Sequence, residues 1–588
     1  VGQAIRFLSR NTLLQYPEEK SGFHLPVQYT TLLNQGEKTG FWQQSTSSHA
    51  VPIQASSEDA DADDSSSGQN HEDEMEALGM VKSHATARSE RYSTARMREE
   101  EELAMEKTKS IAIQPQKTSD GVVLVDWYTT DDPENPQNWS QGKKAFTMFL
   151  LCAYTWIVYS AGPIWAVAAD GIVEHFHVSH VAASLGLSLY ILAYGIGDLL
   201  FSPLSEIPII GRNPVYYLTF IVFWAFSFAP ATVNTFGGLL ALRFFLGFFG
   251  SPALANGGAT VGDLYQLIYI PHGLCWWVFS AWAGPAIAPV IGGFAAQAKG
   301  WRWPMWEVVW MASPVLLLHL FFMPETSAAT ILLKRAKRLR KLTGSPLLQA
   351  QSEIDQRNLS ASEILTEALI RPVEIMLKDP SIFFVNLYTG YFYGVFYTFF
   401  EVFPLVFPPL YGFNLGQTGL AFLSCLVGVI IAISAYTAYL QFYLVPDNLK
   451  NGFREQEHRL VPAIFGSFLI TIGQFVFAWT ARTSIHWVVP LIGVGIFTIG
   501  HFFTMQSLFV YIPFSYPEYA ASLFASNSVW RSATAGGSVV FARPLFINVG
   551  IDKGVTVLAG LSVAGIFGTI ALYLFGKKLR ARSKFAQS

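Results

Sequence analysis

The sequence predicts an all-α membrane protein: two six-helix bundles behind a long polar tail. Three observations predict it. Only 14% of the 588 residues are charged, where a soluble domain carries about 25%. The charges are segregated: residues 1–145 hold 23 acids and 14 bases, a balance of −9, while the other 443 hold 19 acids and 25 bases, a balance of +6. Apolar runs of about 20 residues, each long enough to cross a bilayer core as a helix, recur from position 145 onward. Aromatics at 15% and a mean hydropathy of +0.33 agree with this reading. An ordinary soluble domain is excluded, and so is a nucleic-acid binder, which needs a strongly basic fold.

The tail comes first. Residues 1–120 lack a sustained apolar period, and the acidic, Ser-rich stretch 55–76 is expected to be disordered. The Arg/Glu-rich stretch 86–109 reads as transiently helical. The start, VGQAIRFLSR, lacks the long apolar core of a secretory signal. Ile5, Phe7 and Leu8 make only a short amphipathic opening.

Twelve spans follow, at about 145–168, 181–203, 214–232, 235–260, 273–296, 304–323, 381–403, 417–440, 461–481, 485–512, 520–541 and 554–575. The sixth and seventh are separated by a polar loop, 324–380, with nine bases between Lys334 and Lys378. Arg212, Lys450, Arg454, Arg459 and the C-terminal Lys577–Lys584 cluster fall on the same side. Few bases fall on the other: Lys299, Arg302, Arg482, Arg543 and Lys553. The positive-inside rule makes the central loop and both termini cytoplasmic. Asn138 and Asn358 match glycosylation acceptors, but both would then be cytosolic, so the matches are read as chance. The division is a tail (1–125), a first bundle (126–323), a central loop (324–380), a second bundle (381–575) and a basic tail (576–588). Cys152, Cys275 and Cys425 lie far apart in apolar runs and have no metal or redox spacing.

Three motifs carry mechanism. At the end of the second span, Glu206 precedes Gly211-Arg212. A tight turn needs the glycine, and a carboxylate beside a guanidinium makes a latch between helices. Asp263, at the end of the fourth span, falls on the same side and completes a charge cluster. Inside the fourth span, Arg243 sits among Phe and Leu with Gly247 and Gly250 after it. A charge in mid-membrane defaults to a functional role, and the glycines permit close helix approach. In the fifth span, Gly284-Pro285…Pro289…Gly292-Gly293 loosens the backbone and permits tight packing.

On these residues, the chain resembles the twelve-span drug:proton antiporters of the major facilitator superfamily over nearly all of 120–580. Further features are similar to the fungal multidrug, cycloheximide-resistance and cercosporin-exporter branch: Asp126-Trp-Tyr…Asp132-Pro-Glu-Asn-Pro-Gln-Asn-Trp139, Gly300-Trp-Arg-Trp303, Pro324-Glu-Thr-Ser, Tyr516–Ser522, and Asn527…Arg531. The resemblance implies proton-coupled efflux, a fungal source, an antiporter motif in the fifth span, and a coupling role for Arg243. The chain departs from the pattern at Ser202, at Ala288, at Gln266 and Tyr269, and in the longer loop made by Ile209 and Ile210. Asp198 also replaces a proline, adding an acid near the membrane edge.

Few other ionisable groups lie within the spans. Glu401, among aromatics near the outer end of the seventh, suits proton loading or an interfacial acid alike. Asp198 suits the same task from the cytoplasmic side, or an inter-helix salt bridge. His501 either titrates or is simply hydrogen-bonded, and Arg531 is either functional or structural, capping a helix end or pairing with a carboxylate; both are candidates for the substrate site. Tyr393, Tyr397 and Phe400 share one helix face and, with Tyr159 and Asn527, are candidates to bind a planar amphipathic ligand. The expected function is export of amphipathic organic compounds, antifungal drugs or a self-made toxin, by alternating access about a central site. The Glu206–Arg212–Asp263 latch would favour the outward-open state. The alternative is uptake or facilitated transport of a small nutrient or polyamine. A multipass enzyme would need a nucleophile set or metal cluster, and the spans offer none. The expected partners are the substrate, protons and lipid, with no cofactor, no metal and no nucleic acid. A monomer in the plasma membrane, or in the vacuolar membrane, is expected.

Overall fold

The computed structural model describes residues 16–20, 22–38, 80–82, 110–118, 120–266, 269–356, 370, 373–451, 455–516 and 520–584. The expectations for 55–76, 86–109, the amphipathic start, Arg357, Asn358, Arg371, Arg454 and part of Tyr516–Ser522 lie outside these residues.

Among the described residues, eleven helices are long and apolar enough to cross a membrane: Gln141–Phe176, His180–Glu206, Arg212–Ala231, Phe236–Leu264, Ile270–Lys299, Trp303–Phe322, Pro380–Tyr411, Leu415–Asn448, Gln456–Thr480, Val488–Ile512 and Ile551–Arg582. The helix between the last two, Ala520–Val549, is 30 residues long but carries two arginines and five serines. It still packs along the second and seventh spans, so it is counted as the eleventh of twelve. Its polarity has a reason, because it faces protein rather than lipid. Ser528, Ser532 and Asn527 are buried.

Most helices run several residues past their expected ends. Proline and glycine mark the interruptions. The first span breaks at Gly162-Pro163 into a 3-10 turn, Pro163–Ala168. The fourth breaks at Ser251-Pro252. A proline nitrogen cannot donate to the ladder, so the chain tightens or restarts there. The eighth span carries a π-turn, Leu440–Leu444.

Lipid-facing positions are apolar: Phe149, Leu218, Trp276, Phe465 and Phe567 are all exposed. Inward positions carry small residues where helices cross. A Cβ at Gly247 would overlap the Tyr190 carbonyl, so the fourth and second spans meet backbone to backbone. The two bundles meet along two seams, the second span against the eleventh and the fifth against the eighth.

The tail departs from expectation where it is described. Pro17–Glu19 forms a turn and Val27–Lys38 a helix. Strand β1 (Met80–Lys82) pairs in parallel with β2 (Ala112–Gln114), and β3 (Val123–Leu124) with β4 (Leu348–Gln349). The central loop contains a helix, Ala328–Thr343. Tyr29, Val123 and Val125 from the tail pack on Leu333, Ala336 and Leu339 of that connector helix. An apolar period too short to read in the tail alone becomes a core once the connector supplies the other side. Arg335, counted above as a loop charge, is fully buried there. Its Nη1 donates to Asp132 Oδ2 at 2.7 Å and its Nε lies 3.3 Å from Glu18 Oε1. Burial alone would lower its pKa, but the hydrogen bond and charge of Asp132 outweigh it, and the net shift is upward.

Candidate functional site

The face that carries the tail, the connector helix and the chain end is called here the basic face. At this face Arg212 Nε donates to Asp263 Oδ2 at 2.5 Å, and Thr326 Oγ1 donates to the same oxygen at 3.3 Å. Gly211 turns with φ at +80°, which leaves room for the Glu325 carboxylate where a Cβ would stand. Glu325 accepts from the backbone N–H groups of Arg212 and Asn213, at 3.1 and 3.3 Å. Those are the first donors of the third span, which is where a carboxylate is most favourable. Glu206 is exposed and acts on Arg212 only at longer range. Glu325 therefore takes the close position expected of Glu206. It stood in the quoted Pro324-Glu-Thr-Ser motif, but nothing in the sequence joined it to Gly211.

Arg243 is fully buried. Its Nε donates to Gly186 O at 3.1 Å, Nη1 to Ala161 O at 2.8 Å and Nη2 to Gly162 O at 3.1 Å. The guanidinium lies 4.9 Å from the Trp165 ring and 4.7 Å from the Tyr190 ring. Among the described residues no carboxylate pairs with it. The charge is met by carbonyls at the end of the first helical segment, where the helix dipole is negative, and by two π-faces. It fastens the first, second and fourth spans together.

The fifth span wedges between the bundles. A Cβ at Gly284 or Gly292 would strike the first span, at Trp156 and Ile164, while Gly293 abuts Leu415 and Pro289 abuts Gly419 of the eighth. Gln297 accepts from Gly416 N at 3.3 Å near the opposite face. At the basic end, Gln506 Nε2 donates to Pro271 O at 3.3 Å. Contacts thus bridge the bundles near both faces.

Between these bridges lies a central cavity of about 30 Å³ lined by Tyr159, Trp282, Pro285, Tyr393, His501 and Arg531, among others. The Tyr194 and Tyr393 hydroxyls meet at 2.7 Å, and Tyr397 lies 3.5 Å further on. The Arg531 guanidinium sits 5.0 Å from the Tyr393 ring. His501 is held edge-on by Trp282 and Phe392, each at 4.4 Å.

Asp198 is not at the membrane edge. It lies two turns inside the second span, fully buried, and accepts from the Ser528 hydroxyl across the seam. Arg531, one turn along the eleventh span, is within its electrostatic range. The expected inter-helix partner is thus a hydroxyl first and a guanidinium second.

Tyr397, Phe400, Asn527 and Glu401 are not among the residues lining the cavity. Phe400 stacks on Phe422 at 4.8 Å. Asn527 Nδ2 donates to Asn386 Oδ1 and Thr389 Oγ1, at 2.9 and 2.7 Å, inside the second bundle. Glu401 lies beyond Tyr397, toward the opposite face, with Arg543 and Asp170 as its charged neighbours. Tyr194, Trp277, Trp282 and Ser528 were missed. Tyr190 and Tyr194 were visible as an aromatic pair four residues apart, but lipid-facing pairs look the same.

The family model for the Major Facilitator Superfamily matches residues 145–538. The chain belongs to the Major Facilitator Superfamily. It is a multi-pass membrane transporter and not an enzyme. Relatives in this superfamily include the MFS-type transporter pyvG of Aspergillus violaceofuscus, 42% identical over 80% of this chain and 87% of its own length. The transporter mfs1 of Schizosaccharomyces pombe is 38% identical over 80% and 90%. The cycloheximide resistance protein of Candida maltosa is 35% identical over 79% and 86%. Among solved structures, the proton:xylose symporter XylE bound to 6-bromo-6-deoxy-D-glucose aligns with a TM-score of 0.52 at 13% identity, over 74% of this chain and 96% of that one. That likeness concerns the fold.

Proposed function

We propose that this transporter exports amphipathic organic compounds in exchange for protons, by rocking its two bundles about the central tyrosine cavity. One observation carries the reading. The seam between the bundles holds a buried carboxylate, Asp198, within reach of a buried guanidinium, Arg531, and the latter stacks on the aromatic wall of the cavity. A proton arriving at Asp198 changes the charge that Arg531 faces, and Arg531 touches the site where a ligand would lie. The names of relatives, which include a cycloheximide resistance protein, a fluconazole resistance protein and the efflux pump FUBT, support export as the direction.

In this reading the energy comes from the proton gradient and no cofactor is needed. The monomer sits in the plasma membrane with its basic face and both termini in the cytosol. Arg243 holds the first bundle rigid during rocking, and Glu401 handles the proton near the outer mouth. Purified protein in vesicles with an imposed pH gradient tests the direction. Gradient-driven accumulation of cycloheximide or fluconazole on the proton-rich side supports export, and movement with the protons would make it an uptake system. In the same vesicles Arg243→Ala is expected to abolish transport while still inserting. Glu401→Gln is expected to flatten the pH profile, and an unchanged profile removes Glu401 from the proton path.

A further inference from the structure

Arg531 of the eleventh span is buried, with 8% of its surface exposed. Its guanidinium carbon lies 5.0 Å from the Tyr393 ring and 5.3 Å from the Phe509 ring, and both residues line the central cavity together with Arg531 itself. The charge therefore stands in the cavity wall. Among the described residues, no hydrogen bond or ion pair reaches the guanidinium. Arg243 shows the contrast, since three backbone carbonyls serve its buried guanidinium. Arg531 has two aromatic faces in their place. A buried charge left in that way is costly, and an arginine does not relieve the cost by losing its proton.

The surroundings define what completes the site. Among the described residues, no carboxylate lines the cavity. The titratable groups in electrostatic range of Arg531 are Tyr159 of the first span, Asp198 of the second, Tyr393 of the seventh and His501 of the tenth. Only Asp198 among them ionises to an anion within the ordinary pH range. It is bonded to Ser528 rather than paired with Arg531. The charge of the site thus turns on one proton. With Asp198 ionised, the two residues sum to zero. With Asp198 protonated they sum to one positive charge, and the cavity wall holds a cation without a counter-charge.

Size narrows the class of ligand. The cavity, about 30 Å³, holds on the order of one water. A halide ion is only slightly larger than a water molecule. An organic anion meets the same guanidinium but does not fit without moving the walls. We propose that the central cavity is a site for a small inorganic anion such as chloride, which pairs with Arg531 when Asp198 is protonated. The anion and an organic substrate need the same space, so each excludes the other. The proton and the anion bind together, and by linkage each tightens the other. A neutral substrate then binds when both have left, which is the alternation an exchanger requires. That coupling rests on the export reading. The binding of the anion does not.

The full-length protein in nanodiscs of neutral lipid is titrated with sodium chloride, sodium gluconate keeping the ionic strength constant, and the thermal midpoint is read. The midpoint is expected to rise with chloride and saturate. Because protonation of Asp198 favours the anion, chloride affinity should tighten as pH falls, by up to about tenfold per pH unit, the limit for one proton per anion. Asp198→Asn, with a neutral amide in place of the acid, should bind chloride tightly at every pH. His501→Gln should keep the wild-type pH dependence. Arg531→Gln should abolish the chloride response, and Arg531→Lys should restore it in weaker form. Equal midpoints in chloride and gluconate overturn the site, as does a full response in Arg531→Gln. Should Arg531→Gln fail to fold, Asp198→Asn decides, since a pH dependence like that of the wild type overturns the pairing of proton and anion. In vesicles chloride should raise the KM for cycloheximide and leave kcat alone. A chloride response without gradient-driven transport leaves the anion site standing and defeats the export reading instead.

Discussion

The Ser528 hydroxyl of the second bundle donates a hydrogen bond to Asp198 of the first, deep inside the protein. Among the described residues, the other carboxylate oxygen of Asp198 has no hydrogen-bond partner. The Ser528 bond crosses the seam between the second and eleventh spans, which the proposed rocking would part. Asp198→Asn keeps the shape and removes the proposed proton site. It is expected to stop gradient-driven export while exchange of labelled for unlabelled substrate continues. Full pumping by Asp198→Asn would remove it from the coupling path. Ser528→Ala is expected to slow transport about tenfold, in line with the loss of one hydrogen bond to a charged group.

The Arg212–Asp263 pair is buried, with side chains 10% and 3% exposed. Removing one member of such a pair costs about 3–5 kcal/mol, because the other charge stays behind. Asp263→Asn and Arg212→Met should each lower the thermal midpoint markedly. The double variant Arg212→Met/Asp263→Asn should lose less than the sum of its singles. Additive losses would show that the two charges act independently.

Arg335 ties the tail to the connector helix through Asp132, Glu18 and Glu134. Arg335→Met would strand three acids around an apolar side chain, at a cost of about 3–5 kcal/mol. The expected result is rapid proteolysis between the tail and the first span, with the transmembrane bundles intact. Wild-type resistance in that variant would mean the tail is held by the apolar contacts of Tyr29 and Val125 alone.

The spans were legible because they depend on local pattern: apolar length, a glycine in a turn, bases at helix ends; of the expected latch, Arg212 and Asp263 do meet, but Glu325 and not Glu206 stands beside Gly211. Partners across helices were not legible. Arg243 is served by backbone carbonyls, and every residue carries one, so no sequence signal distinguishes Ala161 or Gly186. Asp198 is two turns inside its helix by simple counting, but Ser528 lies 330 positions away. Phe400 does share a buried face with Tyr393 and Tyr397, as the helical period says. Phe422 from the eighth span fills the space in front of it. The tail's order was hidden because half of its core, Leu333 to Leu348, comes from the other side of the first bundle in sequence.

The Tyr194–Tyr393 contact, 2.7 Å between hydroxyls, joins the second and seventh spans beside the central cavity. Two roles are possible for it, and they separate by experiment. If the pair only fastens the bundles, Tyr194→Phe and Tyr393→Phe should lower stability by about 0.5–1.5 kcal/mol each and leave substrate affinity alone. If the pair opens to bind substrate, stability should change little while KM rises, and more for Tyr393, since its ring also lines the cavity and carries Arg531. The small cavity favours the second outcome, because a ligand can enter only by displacing side chains that now touch. The double variant should then raise KM no further than Tyr393→Phe alone, since each hydroxyl needs the other. A double variant with the product of the two single effects would show that the hydroxyls contact substrate separately.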